Sequence, residues 1–197
     1  YFISDKEKHS VKPDVILQSL YIDPGDLYQL TNMEKSRDHL NSLQTFRLVN
    51  IGYNNTGITE GWDHSEKPLD CIVNLTPVVS QEYRIELEGT NSAGNLGGAV
   101  NLVYQNKNLF RGAERLNIKL KGAYEALPEQ TTGSRSLQEY GFESSLTLPR
   151  FLLPFLEKES FIKKYNPKTV INAAYNYQKM PFYTRTVANA SFGYNWK

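Results

Sequence analysis

Residues Arg115–Tyr124 read RLNIKLKGAY. Successive side chains of an extended chain point to opposite sides. Leu116, Ile118, Leu120 and Tyr124 therefore share one face, and Arg115, Asn117, Lys119 and Lys121 share the other. The same alternation governs Ile171–Gln178, where Ile171, Ala173, Tyr175 and Tyr177 oppose Asn172, Asn176 and Gln178. It returns in Thr184–Trp196, where Ala188, Ala190, Phe192, Tyr194 and Trp196 oppose Arg185, Asn189, Ser191 and Asn195. Each run is about ten residues long, the length a tilted strand needs to cross a bilayer. Lys and Asn at the centre of the polar face suit a wet lumen, and aromatics near the strand ends suit an interfacial girdle. On this reading Leu116, Ile118, Leu120, Tyr124, Tyr175, Tyr177, Phe192, Tyr194 and Trp196 face lipid. A water-soluble sandwich also alternates, so period two by itself leaves both architectures open.

Upstream lies Glu88–Glu114, EGTNSAGNLGGAVNLVYQNKNLFRGAE. A phosphate-binding loop needs Gly, four residues, Gly, then Lys and Ser or Thr at the start of a helix. Gly89 and Gly94 have that spacing, but Asn95 and Leu96 stand where the lysine and the hydroxyl belong. The following AVNLVYQ is β-branched, aromatic and alternating, a poor helix start. The run reads instead as a loop, Gly89–Gly98, between two antiparallel strands, its glycines supplying positive φ. Strands are predicted near 82–88, 98–106, 115–124, 139–148, 169–178 and 184–196. Asn106–Gly112 (NKNLFRG) is then a tight turn, Ala126–Leu137 a polar loop, and Pro149–Pro167 a long connection. In that connection Phe155, Leu156, Phe161, Ile162 and Tyr165 are mixed with Glu and Lys, as in an interfacial amphipathic helix or a packed loop.

Residues 1–78 have a different grammar. Pro13 suits the first turn of a helix with Val15, Ile16 and Leu20 on its apolar side. Asp23-Pro24-Gly25-Asp26 forces a turn. Thr31 and Glu34 have capping-box spacing, and Met33, Leu40 and Leu43 follow on one helix face. Arg47–Tyr53 (RLVNIGY) and Leu69–Thr76 (LDCIVNLT) read as strands, with Pro77 closing the second. A first strand, clipped, is expected near residues 1–8. The expected core is Leu17, Leu20, Leu40, Leu43, Val49, Ile51, Ile72 and Leu75.

A net charge of +1 provides no basic field to draw nucleic acid. Mean hydropathy is −0.51, and the longest apolar run, Phe151–Leu156, is interrupted by Pro154, so no helical membrane span is predicted. The N-terminus shows no signal-peptide pattern. One cysteine, Cys71, excludes an intrachain disulfide and is expected as a small buried apolar residue. His9, His39 and His64 are scattered, lack ligand partners at metal spacing and are expected on the surface. No catalytic constellation, cofactor or metal site is expected, so the chain does not read as an enzyme.

The stretch LEGTNSAGNLGGAVNLVYQNKNLFRGAERLNIKLKGAYEA resembles the start of the barrel in the BamA/TamA family of bacterial outer-membrane assembly factors, with the closest likeness to the TamL-type proteins of Bacteroidota. Residues 1–78 resemble one polypeptide-transport-associated (POTRA) domain: PGDLY, the second helix and NSLQTFRLVNI match its strand–helix–helix–strand–strand plan. Apart from the first few residues the resemblance covers essentially the whole chain. It implies an α+β POTRA domain over 1–78, in the periplasm, followed over 79–197 by the N-terminal part of an outer-membrane β-barrel. The family's barrels have about sixteen antiparallel strands, and this chain has room for six, so a piece of a longer protein is expected.

The resemblance also implies a mechanism. In the family the first barrel strand pairs weakly with the last, the seam opens sideways, and a client strand pairs with the exposed edge through main-chain hydrogen bonds. Here that edge is Glu82–Glu88, with Tyr83, Ile85 and Leu87 on one face and Glu82, Arg84, Glu86 and Glu88 on the other. The strand Arg47, Leu48, Val49, Asn50, Ile51, Gly52, Tyr53 is a second candidate edge. The implied partners are unfolded outer-membrane protein clients, outer-membrane lipid and periplasmic or lipoprotein accessory subunits. Two other functions fit parts of the pattern: a passive structural or adhesive outer-membrane barrel, and a soluble β-rich binding module.

Overall fold

The computed structural model describes residues 3, 10–55, 68–92, 95–127, 136–152 and 165–196. The chain divides into two compact units, Tyr1–Val78 and Val79–Lys197.

The first unit contains α1 (Pro13–Gln18), α2 (Leu30–Ser42), β1 (Phe46–Asn55) and β2 (Leu69–Pro77). Pro13 opens α1 with Asp14 in the first turn, where a missing N–H costs nothing and a carboxylate favours the helix dipole. Ser19 ends it, its hydroxyl donating to the Val15 carbonyl at 2.9 Å. The Asp23–Asp26 turn places Gly25 at φ +92°, and the Asp26 N–H donates to the Asp23 carbonyl at 3.1 Å. Pro at the second and Gly at the third position of such a turn match these requirements. Ser36, fully buried, ties the incoming segment to α2: its hydroxyl accepts from the Tyr21 N–H at 2.8 Å and donates to the Asn32 carbonyl at 2.7 Å.

The capping box does not form. Helix α2 begins at Leu30 with Gln29 as its N-cap and no side-chain cap. The Asn32 and Met33 N–H groups already donate to the Gln29 carbonyl, so Thr31 stands inside the first turn and cannot cap it. The core of this unit is Val11, Ile16, Leu40, Leu43, Phe46 and Val49. Leu40, Leu43 and Val49 were expected there. Leu17 and Ile72 are exposed instead, and Leu20, Ile51 and Leu75 are half-buried. Leu17 lies on the outer side of a helix of six residues, and Ile72 opposes Gly52 on the face of the sheet away from Val49. The first strand expected near residues 1–8 lies outside the described residues, apart from Ile3.

The second unit is one six-stranded antiparallel sheet in sequence order: β3 (Gln81–Ser92), β4 (Asn95–Asn106), β5 (Arg115–Ala126), β6 (Ser136–Leu148), β7 (Lys168–Lys179) and β8 (Thr184–Asn195). All six predicted strands are present. The Gly-rich run is not a loop. Strand β3 runs to Ser92 and β4 resumes at Asn95, with Gly89 opposite Gly98 and Thr90 opposite Gly97. The described glycines here do not adopt positive φ. Gly97 is required for space, since a Cβ would come within 2.6 Å of the Thr90 hydroxyl and 3.1 Å of the Tyr124 carbonyl. The amphipathic segment of Pro149–Pro167 and most of Ala126–Leu137 lie outside the described residues.

The β4–β5 turn is built on Glu114, which is buried. Its carboxylate accepts from the Phe110 N–H at 3.0 Å and the Gly112 N–H at 2.9 Å. Its backbone carbonyl accepts from the Leu109 N–H, and Asn108 Oδ1 accepts from the Ala113 N–H at 3.0 Å. Arg111 and Ala113 sit at φ +65° and +59°, conformations that non-Gly residues adopt rarely and that these surrounding bonds hold in place.

Candidate functional site on the sheet faces and edge

The strand register sorts the side chains of the second unit. Directly paired residues in antiparallel strands lie on the same face. Starting from β3, Tyr83 pairs with Tyr104 and then Ile118; Ile85 with Leu102, Leu120, Phe142 and Tyr175; Leu87 with Val100 and Gly122. Leu116, Tyr177, Phe192 and Tyr194 fall on that face by the same register. Tyr124 follows two residues after Gly122, and Trp196 stands just beyond the end of β8. All nine residues read as lipid-facing thus lie on one side of one sheet. Tyr83, Tyr104, Tyr124 and Tyr177 each stand two positions in from a strand end.

The opposite face is polar and bonded across strands. Lys121 Nζ donates to Glu139 at 3.1 Å, and Asn176 Nδ2 donates to the other oxygen of the same carboxylate at 2.7 Å. Gly141 lies between Lys121 and Asn176 in the register, and its lack of a side chain leaves their approach to Glu139 open. Lys119 pairs directly with Glu143, and Asn172 Nδ2 donates to the Ser191 hydroxyl at 3.1 Å. Asn101 Nδ2 donates to Glu88 at 2.6 Å. A recess of about 230 Å³ lies on this face, lined by Glu88, Asn101, Lys121, Glu139, Asn176 and Asn189 among others.

Both faces carry exposed side chains, and they differ in chemistry. Large apolar side chains stand open on one face: Tyr83 is 74%, Ile85 70% and Leu87 78% exposed. On the polar face Asn101 is only 1% exposed.

The two candidate edges are both strands. Glu82–Glu88 lies in the first part of β3, an outer strand of the sheet whose only strand partner among the described residues is β4. Arg84 bridges Glu82 at 2.9 Å and Glu86 at 3.5 Å along the strand, and Lys107 meets Glu82 at 3.5 Å. Arg47, Leu48, Val49, Asn50, Ile51, Gly52 and Tyr53 all lie in β1, which among the described residues pairs with β2 alone. Arg47 sits at an irregularity between Phe46 and Leu48 that re-aims the strand start. Val49 is buried and Leu48 exposed.

Two single-residue expectations are corrected. Cys71 is exposed on β2 rather than buried, since it pairs with Tyr53 toward the end of the β1–β2 ladder away from the buried Phe46 and Val49. Its sulfur lies against Tyr53, its register partner. Loss of solvation pushes the thiol up, and a hydrogen bond from Tyr53 only partly offsets this, so thiolate is scarce at neutral pH. Burial likewise pushes the Tyr53 hydroxyl up to about 12, with smaller contributions from Cys71 and Tyr28. His39 is buried, not on the surface. Its ring packs against Tyr21 with centroids 5.9 Å apart, a contact between residues too far apart in sequence for local reading to find. His9 and His64 lie outside the described residues, among which no group of His, Cys, Asp and Glu could hold a metal ion. No described helix is long and apolar enough to cross a membrane.

The chain matches no protein-family model and no curated protein. Among solved structures, the crystal structure of BamA from Haemophilus ducreyi lacking POTRA domains 1–3 is similar over 95% of this chain and 42% of that one. The identity is 11% and the TM-score 0.43. This chain therefore spans less than half the length of that protein.

Proposed function

We propose that the chain belongs to an outer-membrane assembly or translocation factor of the BamA/TamA type, TamL-like, acting by strand templating at a lateral barrel seam. The observation that carries this reading is the two-faced sheet: an apolar face open to its surroundings, backed by a polar face on which Lys121, Glu139 and Asn176 are bonded across strands. Exposed apolar area on that scale is unfavourable in water and favourable against lipid. A wet lumen accepts the Lys121–Glu139–Asn176 row.

In this reading the sheet of Val79–Lys197 is the first part of a transmembrane barrel. The unit Tyr1–Val78 is a POTRA domain in the periplasm. Strand β3 presents its free edge to unfolded outer-membrane protein clients, outer-membrane lipid covers the apolar face, and periplasmic or lipoprotein subunits assist. The sequence resemblance of the β3–β5 region supports this assignment, and the helix–helix–strand–strand order of the first unit is compatible with it. Alternating charges on β3 discourage permanent pairing and aggregation at that edge, as a reusable template requires.

The test uses the full-length protein in cells. Cysteines at positions 83, 85 and 87, in a Cys71→Ser background, should cross-link to C-terminal strands of clients during assembly. Locking this edge to the barrel's last strand should stop assembly while the barrel stays folded. A verified locked protein with full activity would overturn the templating mechanism and leave a passive barrel.

A further inference from the structure

Charge on the polar face follows a rule. Strand β5 carries the cations Lys119 and Lys121, and β6 carries the anions Glu139 and Glu143. Lys119 pairs directly with Glu143 in the register, and Lys121 bridges to Glu139 at 3.1 Å. Opposite charges facing each other across strands stabilise a sheet, and like charges destabilise it. Strand β3 departs from this rule. Its polar-face row is Glu82, Arg84, Glu86 and Glu88, three carboxylates to one guanidinium, and its neighbour β4 offers opposite them only Gln105, Val103, Asn101 and Ala99. Neutralisation is concentrated at one end. Glu82 receives Arg84 at 2.9 Å and Lys107 at 3.5 Å, whereas Glu86 meets Arg84 at only 3.5 Å and Glu88 receives a neutral amide.

A second observation points the same way. Asn101 is 1% exposed and pairs directly with Glu86. Its Nδ2 is given to Glu88, and its buried Oδ1 meets no donor in the structure. The Glu86 and Glu88 carboxylates thus stand on one face of the edge strand, backed on β4 by Asn101, acceptors matched to an ammonium with its N–H donors.

Resting on the templating reading above, we infer that Glu86 and Glu88 select the client: the strand that adds to β3 comes from another polypeptide and carries lysine at lumen-facing positions opposite them. Its alternate residues are apolar and extend the row Tyr83, Ile85, Leu87 toward lipid. A lysine is long enough to cross one strand spacing of about 4.8 Å, so from a strand added to β3 it reaches the Glu86 and Glu88 carboxylates, with Asn101 a further spacing away on β4. Register follows from the same contacts, because a slip of one residue would turn the lysines toward lipid.

The experiment uses the full-length protein in liposomes, with Cys71→Ser and Ile85→Cys, and three nine-residue peptides bearing a thiol-reactive group. All alternate Val and Phe with a second residue, which is Lys, Gln or Glu. The Lys peptide should cross-link about tenfold more than the Glu peptide, with Gln between, a ratio that two reversed cross-strand charge pairs supply. Glu86→Lys with Glu88→Lys should reverse the order. Equal labelling by all three peptides would overturn the charge selection and leave the templating edge intact. No labelling by any peptide, with position 85 still reactive toward a small apolar thiol reagent, would overturn both. An order unchanged by the charge reversal would assign the preference to the lipid surface and overturn the role of Glu86 and Glu88.

Discussion

Glu114 occupies a place where one side chain does the work of several backbone bonds. It sits buried in the β4–β5 turn and accepts from the N–H groups of Phe110 and Gly112. Two neighbours, Arg111 and Ala113, hold positive φ around it. Glu114→Ala should leave two donors without their acceptor and release that backbone, costing about 2–4 kcal/mol. Glu114→Gln keeps an acceptor oxygen but loses the charge, and should cost less. Unfolding of the detergent-solubilised protein by urea measures both; equal stability of the alanine variant and the parent would mean the turn is held by its other bonds. Gly112 belongs to the same device, because a Cβ there would strike the Glu114 carboxylate. The sequence showed NKNLFRG as a turn but gave no sign that the residue closing it was Glu114. A buried carboxylate bonded to main chain reads locally like any surface Glu.

At the scale of the strand, the two faces make opposite demands on neighbouring positions. Ile118 pairs with Tyr104 and Ser144 on the apolar face, and Asn117 pairs with Gln105 and Ser145 on the polar one. Ile118→Arg should destabilise the membrane-inserted protein by about 2–4 kcal/mol if the position lies near the bilayer midplane, and Asn117→Arg far less. A soluble sandwich would also suffer from Ile118→Arg, so accessibility decides. In liposomes, cysteine at 118 should resist a water-soluble thiol reagent and meet a lipid-borne quencher, and cysteine at 117 should do the reverse. Two water-accessible positions would remove lipid from this face. Period two made these faces legible in the sequence, because the strand repeat is short and needs no knowledge of neighbours. What stayed hidden depended on neighbours. Gly97 reads as a turn former, yet it is a strand residue placed where Thr90 and Tyr124 leave no room. Thr31 and Glu34 have the spacing of a cap, yet the helix starts before them. The charge imbalance of β3 was visible residue by residue, but its meaning needed the register that pairs Lys119 with Glu143 and gives Glu86 only Asn101.

For the molecule as a whole, the division between Val78 and Val79 separates two ways of satisfying a chain. The second unit exposes apolar side chains over one face of a sheet with two outer strands, and unpaired strand edges are costly in lipid. Its fate depends on what surrounds it. The first unit has an interior of its own: Leu40 is 0% and Val11 1% exposed, with Ile16, Leu43, Phe46 and Val49 also buried. Helix α2 packs on β1, and Ser36 pins the segment before it. Among the described residues these six form the apolar interior, so stability should be sensitive to single truncations within it. Residues 1–78 produced alone in water should unfold cooperatively in urea. Leu40→Ala should cost about 2–5 kcal/mol, as a fully buried leucine does. Leu17→Ala, at a position 53% exposed, should change stability by no more than about 0.5 kcal/mol. The contrast between the two leucines is the informative quantity, since both were expected in the core and only one is there. A fragment that shows no transition would mean the first unit needs the second in order to fold. A transition with equal losses at both leucines would place Leu17 in an interior that the observed packing does not give it.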